Sequence, residues 1–253
     1  MELDGRVALI TGAGSGIGQA MVQAFSRAGA LIVAADISQA RLDALDPGKN
    51  LLTVQGDVSV PADVDRMLDA ALKAHGRIDV LCNNAGVPDL FQGADDCTDE
   101  QWEASLAVNL TAAFLASRLA LRDMLKRRAG VIINTASVAS FRGGEGGVAY
   151  TVAKHGLIGL TRSIAAMYGD DGIRCVAICP GPTTTGITEL NVGRRAAGLF
   201  SPRGQATAAL TAPIRRRWAE PSEIAELALF LASDRASALN GCAIPADSGR
   251  MVF

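Results

Sequence analysis

The sequence is short of histidine, of surplus positive charge and of long apolar runs, and each shortage removes a class of function. Only His75 and His155 occur among 253 residues, so a zinc site built on histidine spacing has almost nothing to use, and no metal ligand set is assigned. The formal net charge is −2. A chain without a basic excess does not condense onto nucleic acid or an anionic membrane, and neither partner is expected. No apolar run approaches the roughly 18 residues that span a bilayer. The chain opens MELDGRVALIT, entering a strand-like segment at once, and is read as unprocessed. The five cysteines (Cys82, Cys97, Cys175, Cys179, Cys242) include no CxxC pair. Cys175 and Cys179 on one strand would stand about 13 Å apart, beyond the reach of a disulfide. They are read as core filler in a cytoplasmic protein.

What is present is apolar chain in short blocks. Hydrophobic residues make up 49% and charged residues 20%, enough to bury the core of one α/β domain over 1–253. Blocks of Val, Ile, Leu and Ala alternate with longer amphipathic stretches, the pattern of parallel strands joined by crossover helices. The strands are placed at Arg6–Thr11, Leu31–Asp36, Leu51–Gln55, Val80–Asn83, Val131–Ala136, Arg174–Ile178 and Cys242–Pro245. These runs are apolar throughout rather than alternating, as when helices cover both faces of a sheet. The expected fold is therefore a Rossmann-like, doubly wound parallel sheet of about seven strands. Helix starts are read at Ser59 before Pro61, at Thr98 with Gln101 in capping-box spacing, and at Ser222 with Glu223. Gly186 to Ala219, rich in Gly, Pro, Thr and Arg, resists assignment and is read as a lid-like loop.

Two clusters carry chemistry. The first strand runs into Gly12, Gly14, Gly16 and Gly18 and straight on into a helix, which brings backbone N–H groups and a positive helix end together, a place for a pyrophosphate. A tight turn without ligand is the bland alternative. Starting a GxGxxG pattern at Gly12 puts Ile17 at the last glycine position, so that fingerprint fails, whereas Thr11-Gly12-xxx-Gly16-x-Gly18 fits. Asp36 ends the second strand, where a carboxylate accepts hydrogen bonds from an adenosine ribose and repels a 2′-phosphate; the alternative is a charge serving the next helix near Ser38. Further on, Tyr150 and Lys154 are four apart on a predicted helix and share a face. A phenol near pKa 10 needs about 4 kcal/mol of preferential phenolate stabilisation to titrate near neutrality, and a neighbouring ammonium has the right sign. Ser137 follows the strand VIINTA at its carboxyl end, the ligand side of a parallel sheet.

In this order, TGxxxGxG, NNAG at Asn83 to Gly86, Ser137, Tyr150 and Lys154 resemble the short-chain dehydrogenase/reductase family over nearly the whole chain. The resemblance implies hydride transfer between a nicotinamide cofactor and a secondary alcohol or ketone. Tyr150 would exchange the proton, Ser137 orient the carbonyl, Lys154 bind the nicotinamide ribose and ease Tyr150 ionisation, and Asn109 hold a relay water; a buried amide serving local backbone is the other reading of Asn109. It assigns Gly12, Ser15, Gly16, Ile17 and Gly18 to the pyrophosphate, Asp57 and Val58 to the adenine edge, and Asn83, Ala85 and Gly86 to the ribose wall. Pro180, Gly181, Thr183 and Thr185 fall beside the nicotinamide, with Thr183 standing where relatives carry an aliphatic residue. No Arg or Lys occupies position 15 or 37, which favours NAD over NADP. A homotetramer is the family's usual assembly, to which the Met251, Val252, Phe253 ending would add an apolar contact. Phe141, Arg142 and Glu145 in FRGGEGG are read either as lining a roomy substrate pocket or as a turn needing unusual backbone angles. Arg194, Arg195, Arg203, Arg215, Arg216 and Arg217 suggest an anionic substrate or a solvated surface. A 3-oxoacyl-carrier-protein reductase and a non-catalytic dinucleotide-sensing regulator are the alternatives.

Overall fold

The computed structural model describes residues 2–46, 50–211 and 217–252. Seven strands form one sheet in the order β3-β2-β1-β4-β5-β6-β7, every neighbouring pair parallel. They are β1 Val7–Thr11, β2 Leu31–Asp36, β3 Leu51–Gln55, β4 Val80–Asn83, β5 Gly130–Thr135, β6 Ile173–Pro180 and β7 Ala243–Ala246. All seven expected strands are present, each within about two residues of its reading. Order reverses between β1 and β4, so a crevice opens at the carboxyl ends of these two strands, where ligands bind in open α/β sheets.

The apolar runs are explained by burial on both faces. Within β1, Ala8 and Ile10 pack with Met21 and Phe25 of α1 (Gly16–Arg27) and with Ile224, Ala228 and Leu231 of α9 (Pro221–Ala232). Their neighbours Val7 and Leu9 face the other way, against Val64, Met67 and Leu68 of α3 (Pro61–His75) and Ala120 and Met124 of α5 (Ala112–Arg127). With alternate side chains sent to opposite covered faces, no polar position is left inside the strand. A short α2 (Gln39–Asp43) follows β2, and α6 (Val148–Tyr168) lies against β6 through Leu157 and Ile158.

Helix ends depart from the sequence reading in instructive ways. α3 is capped by Val60, not Ser59, with Pro61 at its first position; Ser59 donates instead to Asp57 Oδ1. α9 starts from Glu220, whose side chain and that of Glu223 form the reciprocal capping box, two residues ahead of the expected Ser222. The Thr98 and Gln101 box is present at the head of α4 (Asp99–Leu106). A π-helical turn, Ala107–Thr111, joins α4 to α5. The resulting Asp99–Arg127 helix is long and apolar enough by composition to cross a membrane, against the expectation from apolar runs; its buried side packs on the sheet through Ala116, Ala120 and Met124.

The largest correction concerns 186–219. It is not a long loop: α7 (Gly186–Ala196) and α8 (Pro202–Thr211) occupy most of it, and Arg215 and Arg216 lie outside the described residues, as does Phe253. The stretch between α7 and α8, with the start of α8, is joined to the segment after β4. Phe91 and Phe200 stack with ring centroids 4.6 Å apart, Ser201 Oγ donates to the Phe91 carbonyl at 3.0 Å, and Arg203 pairs with Asp95.

Candidate active site

The glycine turn is shaped by near collisions. Gly12 has φ +65°, and a Cβ there would stand 2.9 Å from Ala85 Cα. A Cβ on Gly18 would overlap the Gly12 carbonyl, so the start of α1 lies directly on the end of β1. Asn84, which the sequence reading passed over, staples this turn: its Nδ2 donates to Thr11 O (3.0 Å) and Gly12 O (3.3 Å). Thr11 Oγ1 in turn accepts from the Asn84 and Ala85 N–H groups. Ser15 caps α1 without a side-chain hydrogen bond, and the first turn, Gly16, Ile17 and Gly18, carries no acidic residue. A helix start with neither a side-chain cap nor a carboxylate leaves its N–H groups and positive dipole end to an outside anion.

These residues fit a dinucleotide. The cradle is one that any side chain on Gly12 or Gly18 would fill, and Thr185 at the head of α7 closes it from the far side, its methyl 3.1 Å from where a Gly16 Cβ would be. Asp36, buried at the end of β2, accepts from Gly14 N–H and Ser38 N–H at 2.9 Å each. It therefore does serve the Ser38 turn, while remaining next to the glycine loop. The Arg41 stem also lies against Gly14, a cation that the positions 15 and 37 test did not sample. Asp57 Oδ1 is taken by Ser59, and Asp57 with Ile37 and Gly56 borders an open depression of about 640 Å³. Gly181 N–H donates to Ala246 O (3.0 Å), fixing the turn after Pro180. Thr183 is buried and returns its hydroxyl to Gly181 O, so its side chain is spent locally.

Two assigned residues have their side-chain amides engaged within the protein. Asn83 is buried, and its amide donates to Asn134 Oδ1 (2.8 Å) and Ser117 Oγ (3.0 Å). It joins core strands and helix; the wall role is left to Ala85 and Gly86. Asn109 sits in the π turn and clasps Val87, Oδ1 accepting its N–H at 3.1 Å and Nδ2 donating to its carbonyl at 3.0 Å, with Ser105 Oγ as a further acceptor. The side-chain amide is thus committed to backbone, as in the bland reading. Thr11, Val58, Asn83, Ala85 and Asn109 do meet around a small enclosed cavity of about 10 Å³.

At the carboxyl end of β5 the three chemistry-bearing side chains converge. Ser137 Oγ accepts from Ala139 N–H (3.1 Å) and lies close enough to the Tyr150 phenol to favour its ionisation. Lys154 Nζ lies 5.6 Å from the Tyr150 ring centroid, donates to Thr135 O at 2.9 Å, and stands 3.6 Å from where a Gly86 Cβ would be. Electrostatically the pair is not as the sequence suggested. Burial pushes the phenol up to about 12, opposed by the Ser137 hydroxyl and reinforced by the Asp89 charge. Burial likewise pulls the Lys154 ammonium down to about 8. Desolvation is the dominant influence on the phenol, and Tyr150 is neutral at physiological pH.

The 141–147 turn is neither pure pocket lining nor free loop. Glu145 is buried between Arg250, which reaches it at 2.9 Å, and Arg142, at 2.6 Å, so the two charged residues of FRGGEGG anchor the C-terminal turn. Phe141 stays exposed. All five cysteines are free thiols.

A doubly wound sheet with a glycine-lined helix start and a Ser–Tyr–Lys cluster at the same sheet edge defines a dinucleotide-dependent oxidoreductase. The family model described as enoyl-(acyl carrier protein) reductase matches residues 12–250. The chain is 42% identical to 3β-hydroxysteroid dehydrogenase 2 of Eggerthella lenta over 98% of this chain and 95% of that one. It is 37% identical to asnovolin H dehydrogenase of Aspergillus novofumigatus, over 96% and 95%. The crystal structure of levodione reductase superposes with a TM-score of 0.88 at 34% identity, covering 98% of both chains. The chain belongs to the short-chain dehydrogenase/reductase family, oxidoreductases that act on alcohol and carbonyl groups with a nicotinamide dinucleotide.

Proposed function

We propose that the protein interconverts a bulky, apolar secondary alcohol and its ketone, using NAD(H), with Tyr150 as the acid and base. The observation that carries this reading is the convergence of Ser137, the Tyr150 phenol and buried Lys154, whose Nζ is 5.6 Å from the Tyr150 ring, at the carboxyl end of β5, two strands from the glycine cradle. A bound nicotinamide supplies or takes up the hydride. The chain does the rest: Ser137 holds the substrate oxygen, and Tyr150 protonates it in reduction and deprotonates it in oxidation. Lys154 would hold the nicotinamide ribose, together with the Tyr150 hydroxyl. A phenol held near 12 stays protonated at neutral pH, the form that ketone reduction requires, and oxidation gains as pH rises.

NAD is preferred because the Asp36 carboxylate sits against Gly14, where it would repel a 2′-phosphate. Size and apolarity of the substrate are supported by the lid, which leaves Ile187, Leu190, Val192 and Leu199 exposed, and by relatives named for a hydroxysteroid and for asnovolin H. Exposed Trp102, Phe114 and Met167 on the outer helices support a homotetramer, and five free thiols support a cytoplasmic setting. The test is a panel of cyclic and acyclic alcohols, ketones and acyl thioesters with NAD(H) and NADP(H), followed by nicotinamide absorbance. Tyr150→Phe is expected to lose about three orders of magnitude in kcat while still binding dinucleotide. Normal turnover by that variant would remove Tyr150 from the mechanism, and preference for acyl thioesters would make it a 3-oxoacyl-carrier-protein reductase. Binding without any turnover would leave a dinucleotide-sensing regulator.

A further inference from the structure

Helix α6, which carries Tyr150 and Lys154, begins at Gly147, a residue with no side chain to cap it. Its first N–H groups are nevertheless satisfied, and by one distant segment. Asp89 Oδ1 accepts from Gly147 N–H at 3.0 Å, Asp89 Oδ2 accepts from Tyr150 N–H at 3.1 Å, and the Gln92 carbonyl accepts from Val148 N–H at 2.9 Å. The carboxylate is itself fixed by Phe91 N–H on Oδ1 (3.0 Å). Two consecutive glycines make the docking possible. A Cβ on Gly147 would stand 2.5 Å from Asp89 Oδ2, and one on Gly146 would stand 2.7 Å from the Tyr150 ring. Small residues thus admit the carboxylate at one position and the ring at the next.

We propose that Asp89 is a positioning residue for the reaction: from the loop after β4 it caps the helix bearing Tyr150, sets that residue's backbone, and places a fixed negative charge beside it. A carboxylate at a helix start satisfies orphan donors and meets the positive dipole end, and a like-signed neighbour disfavours the phenolate. The direction agrees with the upward push of Asp89 on Tyr150. Besides burial, Ser137 and Asp89 act on the phenol, and the Lys154 ammonium faces its ring at 5.6 Å. On its other side Asp89, with Asp96 and Asp99, faces Cys97, a thiol held up chiefly by burial. Because Phe91 of the same loop stacks on Phe200, the capping segment also contacts the stretch before α8.

The proposal rests on Tyr150 as acid and base, and its test separates the two. Asp89→Asn keeps the shape and an acceptor oxygen but removes the charge. It is expected to shift the alkaline rise of kcat/KM for alcohol oxidation to lower pH by about half a unit or more, with the dinucleotide dissociation constant unchanged. Asp89→Ala removes the cap as well and is expected to lower kcat about tenfold or more, with Asp89→Asn recovering most of that loss. Tyr168 is the only other tyrosine, so in a Tyr168→Phe background phenolate absorbance reports Tyr150 alone, without substrate. Asp89→Asn should there show more phenolate at a given alkaline pH. Unchanged pH profile and unchanged phenolate absorbance in Asp89→Asn would overturn the proposal, even if Tyr150→Phe proves inactive. An active Tyr150→Phe would instead overturn the reading beneath it.

Discussion

Replacing Lys154 by methionine should abolish turnover and yet stabilise the fold near neutral pH. Lys154 is buried at 4% exposure, and its fall from 10.5 to about 8 corresponds to about 3 kcal/mol disfavouring the ammonium inside the protein. Methionine has a similar length and no charge. Against this gain stands the Thr135 carbonyl, which loses the donor now 2.9 Å away, at about 1–2 kcal/mol. The net at about pH 7 is a gain of about 1–2 kcal/mol, or about 2–8 °C in Tm for a chain of this size. The pH dependence has a definite sign. Between about 8 and 10.5 the unfolded chain holds a proton that folded Lys154 has released, so wild-type stability rises with pH across this window. The variant lacks that rise, and its advantage should vanish and reverse by about pH 10. Tyr150, raised from 10 to about 12, acts in the opposite sense above pH 10, but is present in both proteins and leaves the comparison. Thermal denaturation of both proteins without dinucleotide, at matched pH from about 7 to 10, is the assay. A difference in Tm that stays constant over that range would refute the claim that burial penalises the ammonium.

Other perturbations follow from the same geometry. Asp36→Ala should relax discrimination, raising kcat/KM with NADP(H) relative to NAD(H) about tenfold or more, because the repelling carboxylate goes while the nearby Arg41 stays; an unchanged ratio in steady-state kinetics would remove Asp36 as the selector. Arg250→Met leaves Glu145 buried with Arg142 as its remaining cation and is expected to cost about 2–3 kcal/mol, read as a fall in Tm. The loss should be larger than for a change at the exposed Arg203–Asp95 pair (71% and 65%), which is worth well under about 1 kcal/mol.

How much of this was legible depended on whether the physics was local. The strands could be read because burial on both faces forbids polar residues inside them, and the Thr98–Gln101 box because its spacing is set by one helical turn. α7 was missed for the converse reason. None of its residues is buried, so nothing imposes a 3.6-residue apolar period, and its Gly, Thr and Arg content looks like a loop. Val60 as a cap was illegible because it offers no side-chain oxygen. Asn84, Asn109 and Asp89 act on groups brought near only by the fold, so sequence showed a polar residue and not its partner. For Tyr150 and Lys154 the spacing gave proximity correctly. It gave no measure of desolvation, which reversed the direction of the phenol shift.

The same distinction separates the two halves of the site. At the nucleotide end each glycine is hemmed in: Gly12 by Ala85, Gly14 by Arg41 and Asp36, and Gly18 by the Gly12 carbonyl. Backbone meets backbone at most of these contacts, so no side chain can swing aside, and the chain must keep hydrogen there. In the 141–147 turn and in α7, Gly143, Gly186 and Gly193 have nothing within 4 Å of an added Cβ, and none of the three has a positive φ. An alanine fits each of these without strain. Gly12→Ala should therefore lose dinucleotide binding, through both the close approach to Ala85 and its φ of +65°, whereas Gly193→Ala in helix α7 should keep binding and gain up to about 1 kcal/mol in stability from helix propensity. Fluorescence titration with dinucleotide and a melting curve for each variant check the pair. Equal losses in both would mean that α7 is as tightly packed as the cradle. The expected asymmetry would explain why the cofactor end is written in a recognisable motif while these segments, free of steric demands, are not.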